Sequence, residues 1–242
     1  MPEFLLFRLY GPMASWGDIA VGEQRPTTPH PSKSAILGLA AAALGIRRHE
    51  DEKHRELADG YGYAVRVDAP GVLLRDYHTT QVPESTARLR HLASRRDETR
   101  DPHNLYTVLS ARDYRCDAVF TACLWRQGES VATLEALAEA LRAPRLPLYL
   151  GRKSCPLALP LLPRRFQAET LEAAFAQYDA EQPDFFAERF KPLLGEAPDF
   201  YWEDCPWTQI PVLHSTPRQD VPLSRRRWQF AKRTEHYGRG KP

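Results

Sequence analysis

Three kinds of apolar pattern run along this chain, and each predicts a different element. Residues 3–10 (EFLLFRLY) are an almost unbroken apolar run closed by Gly11-Pro12, the mark of a short buried strand. Residues 61–68 (YGYAVRVD) alternate apolar with polar, as a half-buried strand should, and Ala69-Pro70-Gly71 turns the chain into a second strand at 72–80. Residues 105–125 return to strand pattern, and 146–150 (LPLYL) reads as a last strand of this series. Helical spacing appears twice. Residues 130–143 place Val131, Leu134, Leu137, Ala138 and Leu141 on one face, and Pro144 ends that helix. The stretch 25–46 (RPTTPHPSKSAILGLAAAALGI) holds three prolines that delay helix formation, Ser32 where an N-cap belongs, and Gly45 where a helix should stop. A helix over Lys33–Leu44 would be apolar nearly all round, so its body is expected to be buried and its N-terminus presented. Gly38, Ala41, Ala42 and Gly45 form a small-residue stripe suited to close approach of another layer.

Two segments break the pattern. Residues 47–60 (RRHEDEKHRELADG) are polar and predict a loop with one short helix, while GPMASWGD (11–18) is a loop whose Trp16 suits either a hydrophobic plug or a stacking surface. Residues 81–104 carry arginines at 88, 90, 95, 96 and 100 with little apolar content, so they predict a disordered loop or a projecting arm. The order strand, helix, strand, inserted strand and arm, strand, helix, strand is a split β-α-β with a second β-α-β. That is the ferredoxin-like arrangement shared with RNA-recognition modules. The expected fold class is therefore α+β: a ferredoxin-like domain over 1–160 with an insertion at about 80–113, then a smaller, mostly β domain over 161–242. In the latter a helix is expected at 168–178, with strands near 208–214 and 225–231.

Charge changes the picture by its distribution. The formal net charge is only +2, yet residues 142–165 hold Arg142, Arg145, Arg152, Lys153, Arg164 and Arg165 without one acid. Residues 215–242 hold eight basic side chains against Asp220 and Glu235, whereas 166–206 hold ten acids against Arg189 and Lys191. Segregation of this kind predicts one electropositive face and one that repels a polyanion. Four scattered cysteines (Cys116, Cys123, Cys155, Cys205) lack ligand spacing and read as free thiols in a reducing cytoplasm. No stretch reads as a signal peptide or is long enough to span a membrane.

Two basic spots could hold phosphate: Ser32-Lys33-Ser34 at a helix start, and Gly151-Arg152-Lys153-Ser154 after a strand. Neither is a P-loop, because PHPSKS lacks its glycines. Metal-free RNA cleavage needs a general acid and base, for which His30, Lys33, Tyr77 and His78 are candidates by type. No nucleophile elbow, HExxH or paired-carboxylate motif supports another hydrolase.

GPMASWGD, RPTTPHPSKSAILGLAAAALGI, LLRDYHT and YLGRKSCPL, in this order, resemble the fifth CRISPR-associated (Cas) family of the RAMP superfamily in its type I-E form. The similarity spans about residues 3–160. It implies a ferredoxin-like core with a protruding thumb, which the insertion would supply. It also implies a non-catalytic subunit of a Cascade surveillance complex that caps the 5′ handle of CRISPR RNA in antiviral defence. Its implied partners are that RNA, the CasC backbone subunit and the CasA large subunit, with target DNA met only through the complex and no cofactor or metal. The implied RNA-facing residues are Ser32, Lys33, Ser34, Tyr149, Gly151, Arg152, Lys153 and Ser154, with Arg88, Arg90 and Arg112 as thumb arginines. In this subtype another subunit, CasE, cuts the precursor, whereas the type I-C relative cuts for itself. The alternative is accordingly a metal-independent endoribonuclease using Tyr77, His78 or Lys33. A protein-binding adaptor with a basic face is the third reading.

Overall fold

A computed structural model describes residues 1–18, 20–83, 94–194 and 197–240. The elements in chain order are β1 (Glu3–Tyr10), β2 (Met13–Ala14), β3 (Gln24–Arg25), α1 (Lys33–Leu44), α2 (Asp51–Gly60), β4 (Tyr61–Ala69), β5 (Val72–Pro83), the single turn α3 (Arg95–Glu98), β6 (Leu105–Cys116) and β7 (Val119–Arg126). There follow α4 (Leu134–Arg142), β8 (Arg164–Gln167), α5 (Leu171–Ala180), α6 (Asp184–Phe190), β9 (Asp199–Trp202), β10 (His214–Ser224) and β11 (Gln229–Arg239). This is a mixed α+β architecture with two sheets. The larger is seven-stranded in the order β10-β11-β9-β4-β7-β1-β8, and all its neighbours are antiparallel.

The apolar run of β1 is continuous because helices cover both faces of this sheet. Leu5, Phe7 and Leu9 pack with residues of α1, α2 and α4, while Phe4 and Leu6 pack with Leu171, Phe175 and Tyr178 of α5. The same two layers bury all nine residues of β4, which the alternation had predicted to be half-buried. Its polar alternates stay paired. Arg66 donates to both carboxylate oxygens of Asp179 at 2.7 Å, and Thr121 donates to Asp68 at 2.6 Å.

Four further expectations need correction. Residues 105–125 are two strands in different sheets, broken where Asp117 takes φ 55°. Residues 146–150 form no strand beyond one bridge, Tyr149 to Pro156. The amides of Arg145 and Leu146 are spent on the last carbonyls of α1 (Ala43 O at 3.0 Å, Ala42 O at 3.2 Å), and Pro147 has none to give. The place beside β1 goes to β8 instead. The strands after residue 160, expected in a smaller second domain, add to both edges of the same sheet, with β8 beside β1 and β9–β11 beyond β4. Two of those strands lie away from their expected positions, at 214–224 and 229–239, and β10 carries Pro217 and Pro222, as an edge strand can.

The second sheet carries the arm. β5 and β6 pair over twelve register positions, from Val72 with Cys116 to Pro83 with Leu105, so the ladder runs roughly 40 Å at the usual rise per residue. β6 is anchored to the body by β2 and β3 on its other edge. Residues 84–93 of the expected arm, including Arg88 and Arg90, lie outside the described residues. Trp16 is a buried plug, set edge-on to Phe120 at 5.6 Å.

Candidate nucleic-acid interface

α1 is the element on which the site is built. Ser32 caps it, its hydroxyl accepting from Ala35 N at 3.2 Å, and Gly45 ends it at φ 80°. The expectation that the N-terminus is presented to an outside anion is overturned. The carboxylate of Asp220 accepts from the Lys33 amide at 2.8 Å, so the protein fills that position itself. Lys33, expected to face RNA, is only 3% exposed, and its ammonium is locked to Glu203 at 2.7 Å. Ser32 is buried beside it, its hydroxyl 3.0 Å from that of Ser34.

The acids arrive from β10, β11 and the segment after β9. Arg233 grips Asp220 at 2.7 and 2.9 Å and Glu235 at 2.6 Å. Glu235 also meets His30 at 3.2 Å and Arg218 at 3.5 Å, and the His30 ring stacks on Tyr201 at 3.7 Å. Burial pushes the Glu203 carboxyl up against the pull of Lys33. Burial also works on Glu235, but His30 and Arg233 outweigh it and hold that carboxyl down at about 2. Three cations (Lys33, Arg218, Arg233) thus face three carboxylates, and little net charge is left at the helix start.

The open site lies further along the same helix. A cleft of about 1500 Å³ is floored by the small-residue stripe of α1, including Ala35, Gly38, Ala41 and Ala42. The stripe was expected to admit another layer. It admits a side chain instead: Arg225 lies across Gly38, where a Cβ would come within 2.9 Å of its guanidinium, and donates to the carbonyl of Ser34. One wall is residues 146–151, with Tyr149 and Gly151; the other is the β10–β11 hairpin, with Arg218, Phe230 and Lys232. Arg47, Arg48 and Trp228 complete the rim, with the Arg48 guanidinium 4.8 Å over the Trp228 ring. Burial, then the neighbouring Arg48, lowers the Arg225 pKa.

The cleft continues through Gly151 into a second basic strip. Gly151 has φ 83°, and a Cβ there would lie 1.8 Å from Ser15 O, so its glycine serves a close backbone crossing within the protein rather than approach to a ligand. Arg152 donates to Arg25 O at 2.9 Å and lies 4.7 Å over Tyr114, leaving Nη1 without a partner. Arg25 is the register partner of Arg112, whose Nε donates to the Ser110 hydroxyl at 3.2 Å. Lys153 and Ser154 are exposed beside them.

Of the residues expected to face RNA, the structure brings Ser32, Ser34, Tyr149 and Gly151 to one cleft. It sets Arg112, Arg152, Lys153 and Ser154 on the adjoining strip and seals Lys33 away. Sequence reasoning missed Arg25, Arg47, Arg48, Arg218, Arg225, Lys232 and Trp228 as individuals. The basic block at 215–242 was the available signal. Strand alternation divides that block, since neighbours such as Lys232 and Arg233 point to opposite faces. Of the four candidate acid–base residues, His30 and Lys33 are both buried in the sealed cluster, where each is held by a carboxylate, and Tyr77 and His78 lie apart from them on the arm. Tyr77 and His78 are adjacent on β5 and so face opposite sides, and Lys33 is in the sealed cluster.

Comparison with known proteins gives a consistent result. Residues 4–235 match the family model described as CRISPR-associated protein (Cas_Cas5). The CRISPR system Cascade subunit CasD of Escherichia coli (strain K12) is 32% identical over 219 residues, covering 87% of this chain and 92% of that protein. A chain of a solved CRISPR RNA-guided surveillance complex is 28% identical with a TM-score of 0.66, over 98% of this chain and 90% of the other. A crystal structure of a Cas protein is 31% identical with a TM-score of 0.58, over 98% of this chain and 95% of the other.

Proposed function

The chain belongs to the CRISPR-associated protein (Cas_Cas5) family, and from that premise we propose that it is a CRISPR RNA-binding subunit of a Cascade surveillance complex. Its partners are then CRISPR RNA and the other Cascade subunits, including CasC and CasA, and it meets target DNA through the assembly. The observation that carries this reading is the cleft along α1, where Arg47, Arg48, Arg225 and Lys232 line a groove and make no ion pair among the described residues. The 5′ handle is the segment assigned to it. Ser34, Tyr149, Arg152, Lys153 and Ser154 are the contacts, and Arg112, with Arg88 and Arg90, contributes from the arm.

Within this proposal, β1, α1, β4, β7, α4 and β8 are read as a ferredoxin-like core, since their sheet order β4-β7-β1-β8 is that of two interleaved β-α-β units. The β5–β6 arm is its thumb. The subunit is taken to be non-catalytic, because Tyr77, His78 and Lys33 share no site. The test is to bind repeat-derived RNA in EDTA at rising salt. Tight binding of uncut RNA is expected, falling by a log–log slope of about −0.7 for each neutralised phosphate. A flat salt response, or specific cleavage lost in Tyr77→Phe or His78→Ala, would overturn the proposal.

A further inference from the structure

Among the described residues, Trp228 is the one aromatic residue with a left-handed backbone. It sits in the turn between β10 and β11 at φ 59°, the left-handed region that a bulky side chain avoids and a glycine would adopt freely. It is 60% exposed, so no core accounts for it. Among the described residues its ring meets Phe230, edge-on at 5.9 Å, and the Arg48 guanidinium at 4.8 Å. Strain held at an exposed position without a packing return is the kind that accompanies a binding role. The same cleft is lined by Arg225, whose Nε has no hydrogen-bond partner, and by Lys232, which makes no ion pair among the described residues.

We propose that Trp228 is a stacking platform for one unpaired RNA base at the mouth of the cleft, with Arg225 and Lys232 holding the phosphates beside that base. The inference rests on the reading of the cleft as an RNA site and adds to it a residue that fixes which nucleotide is held. Three observations favour RNA over a protein segment. Arg48, Arg225 and Lys232 make no ion pair among the described residues. The cleft of about 1500 Å³ exceeds what a single small ligand fills, so a polymer suits it. An indole with a guanidinium on one face is an electron-rich, amphipathic plate suited to stacking with a base and a cation together. The base must be unpaired and unstacked, because a duplex covers both faces of its bases.

The experiment uses the full chain and single-stranded repeat-derived RNA carrying 2-aminopurine at successive positions, one per oligonucleotide. Wild-type protein should quench one position far more than its neighbours. Trp228→Ala should abolish that quench and weaken binding about tenfold, while leaving the salt slope unchanged. Trp228→Phe should keep much of both. Lys232→Ala should leave the quench in place and reduce the salt slope by about 0.7. Trp228→Gly separates stacking from structure. It should lose the quench yet melt at the same temperature or higher, because glycine relieves the turn; a lower melting temperature would mark Trp228 as structural and overturn the proposal. An unchanged quench pattern and affinity in Trp228→Ala would do the same. Normal RNA binding by that variant with loss of a partner subunit would assign the rim to protein instead. If the wild-type chain binds no RNA at all, the underlying reading falls, and the inference with it. Wild-type binding without a Trp228 effect removes the inference alone.

Discussion

The two ends of α1 hold the same kinds of residue and do opposite things with them. At its N-terminus every cation has a carboxylate within 3.5 Å: Lys33 with Glu203, Arg233 with Asp220 and Glu235, Arg218 with Glu235. From its middle to just past its other end, Arg47, Arg48, Arg225 and Lys232 make no ion pair among the described residues; Arg225 settles for a carbonyl and Arg48 for an indole ring. Counter-charge from distant strands decides between them. A positive residue becomes available to a polyanion only when the fold declines to neutralise it. Net charge, or the local density of lysine and arginine, does not report that choice.

The largest expected effect comes from breaking the sealed end. Asp220→Ala removes the acceptor of the Lys33 amide and one of the two acids on buried Arg233. It should cost about 3–5 kcal/mol in urea unfolding, as breaking a buried pair does. The RNA affinity of the protein that remains folded should be little altered, and a loss under about 1 kcal/mol would show that the cluster is not a lock.

Acid probes the same end from another side. The Glu235 carboxyl sits at about 2 in the folded protein against an ordinary 4.5, so its stabilisation is complete above about 4.5 and is lost as pH falls toward 2. That gap corresponds to about 3 kcal/mol. Glu203 has the opposite sign. Raised by burial, it opposes folding once ionised and is relieved on protonation, so it offsets part of the acid loss. Unfolding free energies measured from pH 6 to pH 3 should fall in the wild type and fall less in Glu235→Gln. Equal slopes would remove Glu235 from the account.

A matched pair sharpens the comparison. Lys33→Met should lower the melting temperature by several degrees and leave the salt slope of RNA binding intact. Lys232→Met should do the reverse, keeping the melting temperature and weakening RNA binding about three- to tenfold at low salt. If both variants lose RNA equally at constant stability, the division between sealed and open cations is wrong.

The smallest effect on stability is expected from the arm. Replacing residues 84–101 with a short Gly-Ser linker should shift the melting temperature by only a degree or two, because the twelve paired positions of β5 and β6 remain. RNA retention, or assembly of the complex, should still suffer. Normal RNA content in the assembled complex would reduce the arm to a connector.

What the sequence made legible was local. The cap at Ser32, the stop at Gly45 and the helix between them are set by neighbours a few residues away, and the structure matches them. The same holds for the apolar runs of β1 and α4. The sealed cluster could not be read, because Glu203, Asp220 and Glu235 lie 170 or more positions from the Lys33 that they enclose. Alternation along β4 hid its full burial, since Asp179 on a distant helix neutralises its Arg66. Residues 146–150 have strand composition, yet two of their surrounding amides are claimed by α1. In each case a residue's type was legible and its partner was not.

The placement of β8 on one edge of the sheet and β9–β11 on the other carries a consequence for how the chain is made. At the usual pace of translation, residues 203–242 take roughly 2–8 s to be added. Until they are, β9 has an open edge and Lys33 has none of its acids. The nascent chain therefore waits, with β1, α1 and β4 made well before the strands and acids that complete them. A message cut short by even one hairpin would yield a product missing Asp220 and Glu235 together. Quality control at the ribosome would meet an unfinished sheet rather than a smaller working protein.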